Sequence, residues 1–352
     1  MAAPAPTALT LWATRAATAA VLSSGCDAID ALLDGGFRSG LLTELCGAAA
    51  AGKTQLCLQL LLQCCLPRAL GGLQGTACYI GTEGALSIKR LHALAHVYAR
   101  RYDHTTGLAV GGKRKRGEVA PAATASDFLD GIFVEQLHAV DDLLRLVQTR
   151  LPALLAEQNT KLVVLDSVAA VFRLESTSSV KVHAPHGYMC GGAGVSVASH
   201  VAVVAPIVSS ARKGSAVCLY LYLYLYLYLY LHLYSYLYLY LYLYLFDAAE
   251  RAQTMFHLAN CMRILSDQYG VVFVLTNQVT GDFDAARSTP RGNGLRPALG
   301  LSWSHCINQR LMITRNTDST DRELEVVFSP HLAAGTCVFQ VTTDGVRPVD
   351  RD

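Results

Sequence analysis

The sequence has almost no excess of charge of either sign: 29 basic residues oppose 27 acidic ones, and charged residues occupy only 16% of 352 positions. This balance excludes a polyelectrolyte arm, and a hydrophobic share of 52% excludes a disordered tail as the bulk of the chain. Any contact with nucleic acid must then come from local clusters, not from net charge. Also missing is the basic start and unbroken apolar run of a secretory signal, since Arg15 is the one charged side chain in residues 1–20. That stretch reads as a linker-like segment. Eleven cysteines without a secretory signal point to a reduced intracellular compartment and not to a disulfide scaffold.

Acidic residues are absent from Ser176 to Val217, and from Leu219 to Leu245 Leu and Tyr alternate, holding 12 of the 17 tyrosines. Three readings of this run compete. As a membrane helix it would set phenol hydroxyls throughout the hydrocarbon, where tyrosine prefers the interfaces. Read as a strand, it would extend roughly 90 Å without a turn signal and leave an aggregation-prone edge. The third reading is sequence never selected to fold: residues 176–245 form a low-complexity insertion, translated from an intron or repeat DNA. The insertion carries Lys181, Arg212 and Lys213 and no acid, so without it 26 basic residues face 27 acidic ones.

The strongest local signal is Gly47-Ala48-Ala49-Ala50-Ala51-Gly52-Lys53-Thr54, which fits G-x-x-x-x-G-K-[ST] at every specified position. An apolar run, Leu41 to Cys46, precedes it and an amphipathic stretch, Gln55 to Cys65, follows, which is the strand–loop–helix setting the motif needs. Glycines let backbone N–H groups turn inward around a phosphate, and the helix N-terminus adds partial positive charge. Lys53 then reaches the β and γ oxygens, and the Thr54 hydroxyl ligates Mg²⁺. The bland alternative is a Gly-Ala turn between strand and helix.

A second acid should hold Mg²⁺ from the end of another buried strand, and Lys161 to Ser167 supplies one, with Leu162 to Leu165 running into Asp166. Two more strands end in polar residues. Ala77 to Glu83 ends in a carboxylate able to orient or deprotonate water. Val271 to Leu275 runs into Thr276-Asn277-Gln278, whose amide can sense a γ-phosphate. Glu83 and Gln278 read equally well as caps of the segments that follow. Helical patterns at 86–101, 140–155 and 246–269 lie between these strands, which argues an α/β fold: a mostly parallel central sheet with helices on both faces. The polar segment 103–125, with Lys113-Arg114-Lys115-Arg116, reads as an exposed loop whose tetrad is a solvated charge run or a nuclear-import signal.

The ordered series Leu22 to Cys26, Ile29 to Gly36, Thr43-Glu44-Leu45, Gly52 to Leu56, Thr82-Glu83, Leu165-Asp166-Ser167 and Thr276 to Val279 resembles the RecA/RadA strand-exchange recombinases. The likeness covers Thr7 to Glu175 and Phe246 to Val349, and it breaks where the insertion lies. It implies a RecA-like P-loop ATPase core over 21–175 and 246–349. It further implies that residues 47–54 bind ATP, Thr54 and Asp166 serve Mg²⁺, and Glu83, Lys53 and Gln278 are catalytic. Arg90 would stack on adenine. Loop 280–297, with Arg287, Arg291 and Arg296, would contact DNA, a solvated loop being the alternative.

The likeness points to one paralogue within that family, and so to homologous recombination in the nucleus at double-strand breaks, replication forks and Holliday junctions. The implied partners are a C-type recombinase paralogue in a heterodimer, the main recombinase filament, and single-stranded and branched DNA, with no membrane. The N-terminal DNA-binding domain of the main recombinases is not expected in this chain. Ala5-Pro6-Thr7-Ala8 lacks the aromatic anchor of the docking motif, Gly81 and Phe328 replace acidic residues, and slow hydrolysis or a structural nucleotide follows as an expectation. Two other classes stand against the enzyme reading, a non-enzymatic adaptor and another RecA-fold motor.

Overall fold

A computed structural model describes residues 7–102, 124–178, 216–281, 295–316 and 319–349. Two compact units divide the chain: one comprises residues up to Ser178 and from Thr254 onward, the other residues 179–253. The first begins with helix α1 (Ala8–Thr18), capped where Thr7 Oγ1 accepts from Thr10 N at 3.2 Å, a helix inside the segment expected to be linker-like. There follow β1 (Val21–Leu22), α2 (Asp27–Leu32), β2 (Phe37–Arg38), β3 (Leu42–Gly47), α3 (Lys53–Cys65), β4 (Thr76–Gly81) and α4 (Ile88–Arg101). Next come α5 (Ala125–Asp130), β5 (Ile132–Gln136), α6 (Val140–Arg145), α7 (Leu151–Glu157), β6 (Thr160–Asp166) and α8 (Val168–Ser178). After the helix Ala216–Tyr269 the core closes with β7 (Val272–Asn277), β8 (Val279–Gly281), β9 (Leu295–Pro297), a short helix Gly300–Ser304, β10 (Gln309–Arg315), β11 (Asp321–Phe328), β12 (Thr336–Thr342) and β13 (Gly345–Pro348).

Nine strands form the main sheet in the order β13-β12-β11-β10-β3-β7-β6-β4-β5. From β10 to β5 every pairing is parallel, and β11, β12 and β13 extend the sheet antiparallel. Alternation along the central strands feeds two cores. Leu162, Val164, Val272 and Val274 pack with α3 and α4 on one face, while Val163, Leu165, Phe273 and Leu275 pack with α6, α7, α8 and Trp303 on the other. The expected parallel sheet with helices on both faces is therefore present.

The helical pattern at 140–155 is interrupted by one wide turn, Leu146–Arg150, in which Leu151 N donates to Leu146 O. Pro152 gives the reason: it has no N–H to offer and its ring would strike the carbonyl four residues earlier, so the backbone widens there.

The Leu-Tyr run is not a strand; its residues belong to the helix Ala216–Tyr269. Each two-residue step turns a helix by about 200°, so leucines spread over all faces and no apolar stripe forms. Leu233 and Tyr236 are accordingly both exposed, at 72% and 70%. Among the described residues no helix is long and apolar enough to cross a membrane. The basic tetrad 113–116, the first six residues and most of the acid-free stretch lie outside the described residues.

Among the described residues seven cysteines, Cys26, Cys46, Cys57, Cys64, Cys65, Cys78 and Cys306, are free and buried. Burial pushes the Cys65 and Cys78 thiols up to about 12. A buried thiol stays protonated in the folded chain after the unfolded chain has begun to ionise near the ordinary thiol value of 9.0. Stability is thus whole below pH 9 and falls as pH rises toward 12, by about 1.4 kcal/mol per unit for each such thiol. Urea midpoints at pH 8, 9.5 and 10.5 should decline in that order, with Cys65→Ala and Cys78→Ala flattening the decline.

Candidate nucleotide site

The phosphate loop joins β3 to α3 and is built by backbone that avoids side-chain bulk. Gly52 lies at φ +115°, and at Gly47 a Cβ would come within 2.5 Å of the Ile313 carbonyl on the neighbouring strand β10. Ala50 adopts φ +60°, a left-handed conformation that costs an L-residue about 1–2 kcal/mol. Glycine there removes that cost and adds about 0.4–1 kcal/mol of unfolded-state entropy. Ala50→Gly is therefore expected to raise the melting midpoint by about 1–3 °C in a thermal scan.

Lys53, the first residue of α3, turns its Nζ back onto the loop and donates to the Gly47 carbonyl at 2.7 Å and the Ala48 carbonyl at 2.9 Å. Burial lowers its pKa, while the charges of Asp166 and Glu83 act in the opposite direction. Asp166 stands at the carboxyl end of β6 and collects three hydroxyls. Thr54 Oγ1 donates to its Oδ2 at 2.8 Å, Tyr79 OH to the same oxygen at 3.0 Å, and Thr276 Oγ1 to Oδ1 at 2.5 Å. Burial, and next the Asp166 charge, push the Tyr79 phenol far above its ordinary pKa, so it stays protonated and keeps its hydrogen bond to Asp166. A carboxylate and a hydroxyl side by side, next to an ammonium and a loop of backbone N–H groups, form the hard oxygen set that suits Mg²⁺ bound with phosphate.

Glu83, just past β4, accepts at Oε1 from Ser167 Oγ at 2.7 Å, from Arg173 Nη2 at 3.2 Å and from Gln278 Nε2. The two tips are tied directly as well: the Thr82 hydroxyl donates to the Ser167 carbonyl at 2.6 Å and accepts from Ser167 N at 2.8 Å, and Thr82 N donates to the Asp166 carbonyl at 3.0 Å. Lys53, Thr54, Asp166, Glu83 and Gln278, drawn from four separate stretches of sequence, thus share the carboxyl edge of β3, β4, β6 and β7. Arg90 is placed differently. Its Nε donates to Gln55 Oε1 at 2.9 Å, and its two terminal nitrogens donate to the carbonyls of Thr343 and Thr342 at 2.7 Å each, so the edge of the guanidinium is committed to the β12–β13 turn and only its face is left for stacking. Arg296 is exposed on the β8–β9 ribbon, while Arg287 and Arg291 lie outside the described residues.

The Rad51 family matches residues 15–108 and 239–349. The chain belongs to the Rad51 family. The matched blocks contain the phosphate loop, Glu83 and Gln278, whereas Asp166 falls between them and takes its place from the geometry. Among similar proteins, a DNA repair protein XRCC3 homolog of Arabidopsis thaliana is 26% identical over 95% of both chains. The DNA repair protein XRCC3 of Bos taurus is 30% identical over 93% of this chain and 74% of its own. That of Mus musculus is 29% identical over the same shares.

Tyr79, Thr276, Ser167, Arg173 and Glu44 were not singled out from sequence as site residues. Glu44 alone carried a readable signal: it is a carboxylate inside the apolar run Leu42–Gly47, every residue of which is buried. Of the other four, Thr276 and Ser167 sit at strand ends, where turn chemistry accounts for them equally well, while Tyr79 lies inside β4 and Arg173 inside α8, where no local pattern marks either.

Proposed function

We propose that this Rad51-family chain is an ATP-binding DNA repair protein of homologous recombination, a paralogue that hydrolyses ATP slowly at a subunit interface. The observation that carries this reading is the 2.8 Å contact between Thr54 and Asp166 beside Lys53, a donor set matched to a magnesium–phosphate pair. Thr54 and Asp166 hold the ion, and Lys53 exchanges two loop carbonyls for phosphate oxygens. Bound Mg²⁺ supplies charge neutralisation to the leaving phosphates. Glu83 receives a proton from water, and Gln278, already donating to Glu83, links the carboxylate to the loop that begins at Val279. Arg287, Arg291 and Arg296 meet the phosphates of single-stranded or branched DNA. The partners are a C-type recombinase paralogue in a heterodimer and the main recombinase filament, in the nucleus.

Residues 176–245 are proposed to be translated non-coding sequence. Transcript sequencing across the codons for Glu175 and Phe246 decides this, and abundant mature message carrying the Leu-Tyr repeat would defeat it.

A second reading, an adaptor in which ATP is structural, is favoured by Phe328: its half-exposed ring lies under the Arg310 guanidinium at 5.2 Å where the main recombinases carry an acid. The heterodimer separates the two. If the enzyme reading holds, Glu83→Gln stops turnover and repair together. Repair that survives without turnover makes the chain an adaptor.

The DNA assignment has its own test. Replacing Arg287, Arg291 and Arg296 with alanine is expected to lower the slope of log affinity against log salt by about 2 for single-stranded DNA, since each phosphate contact contributes about 0.7. An unchanged slope would return that loop to plain solvent exposure.

A further inference from the structure

Glu83 has one saturated oxygen and one open oxygen. Three donors from three elements converge on Oε1, namely Ser167, Arg173 and Gln278, and among the described residues no hydrogen bond reaches Oε2. A carboxylate held by one oxygen presents the other in a fixed direction, which is the arrangement a general base needs toward water. Ser167 belongs to the rigid tip of β6, clamped by Thr82. Gln278 is neutral and lies on the segment leading to the loop after β8. Arg173 is the cationic member of the three. It stands on α8, and its Nε donates to the Ala169 carbonyl at 3.3 Å, one turn earlier, so the guanidinium is braced on its own helix while Nη2 reaches Glu83.

We propose that Arg173 is a positioning residue that holds Glu83 by Oε1 so that Oε2 takes the proton of the attacking water. This rests on the hydrolytic reading above. The pair is partly exposed, 46% for Arg173 and 41% for Glu83, so solvent screens the direct charge attraction and the effect lies in orientation. In the reaction the O–H bond of water breaks, its proton goes to Oε2, and the oxygen forms the new bond to the γ-phosphorus as the bond to the β-phosphate oxygen breaks.

The test uses the full chain with MgATP and four variants: Arg173→Gln, Arg173→Lys, Glu83→Gln and the double Arg173→Gln/Glu83→Gln. Arg173→Gln is expected to lower kcat about 10- to 100-fold with KM and the affinity for a fluorescent ATP analogue unchanged. Arg173→Lys, which keeps the cation and shortens the reach little, should recover most of the loss. In the Glu83→Gln background Arg173→Gln should have no further effect, because it acts only through Glu83. The proposal is overturned if Glu83→Gln stops turnover while Arg173→Gln turns over like the parent, or if the double variant falls well below Glu83→Gln. If Glu83→Gln turns over like the parent, the hydrolytic reading itself fails. The lysine variant keeps the test decisive should the glutamine variant not fold.

Discussion

Lys53→Ala is expected to lower ATP turnover by about 10²–10³-fold, the loss that follows when one preorganised electrostatic donor leaves a phosphate-transfer site. The Asp166 and Glu83 charges both bear on the titration of Lys53, opposing the lowering by burial. Its Nζ is held by the Gly47 and Ala48 carbonyls, so the side chain is already folded over the loop that is to receive the phosphates. Alanine removes the cation together with its two bonds to the loop, although the Ala48 carbonyl keeps the Ala51 N–H at 3.2 Å, so nucleotide affinity should fall along with kcat. Lys53→Arg keeps the charge but replaces a compact ammonium by a planar fork too large for the same space. It should bind nucleotide and turn it over poorly. Steady-state hydrolysis with a fluorescent-nucleotide titration measures both. An alanine variant that binds and hydrolyses like the parent would remove residues 47–54 from the reading.

The half of the fold around this loop was legible because its strands obey a rule the sequence displays. A parallel strand buried on both faces reads as an unbroken apolar run, as Leu162 to Leu165 and Val271 to Leu275 do, and the polar residue that ends the run marks the functional edge. The antiparallel extension hid because β11 mixes buried with exposed positions and carries acidic residues, Asp321, Glu323 and Glu325, that suit a loop as well as a strand. The Leu-Tyr repeat shows the limit of reading structure from period. Its period of two is a strand signal, yet its residues lie in a helix, since intrinsic period does not decide structure where no face has to be buried. Individual site residues hid for a third reason, distance along the chain. Arg173 meets Glu83 across 90 positions and Tyr79 meets Asp166 across 87, and no local pattern records either contact. For Arg90 the family likeness gave a stacking role, and the geometry adds a clamp on the turn between β12 and β13.

Glu44 extends the same lesson to stability, and its replacement by alanine is expected to cost about 3–5 kcal/mol. Its carboxylate is fully buried and accepts from three elements: Asn277 Nδ2 on β7 at 2.7 Å, Trp303 Nε1 at 2.7 Å, and Arg310 Nε on β10 at 2.5 Å. Arg310 is itself only 8% exposed, and it shares the pairing register of Glu44 on the adjacent strand. Alanine would strand that guanidinium in the core with Ser304 Oγ as its remaining side-chain acceptor, at 3.1 Å, and would leave the indole N–H unpaired. The cost comes from the charge left behind more than from the worth of the pair. A double replacement, Glu44→Leu with Arg310→Met, should therefore recover much of the urea midpoint that Glu44→Ala loses. The consequence reaches the nucleotide site, because Asn277 lies between Thr276, which donates to Asp166, and Gln278, which donates to Glu83. A stable double variant that nonetheless hydrolyses ATP slowly would show that Glu44 sets the β7 tip as well as the fold, whereas normal turnover would confine it to the core.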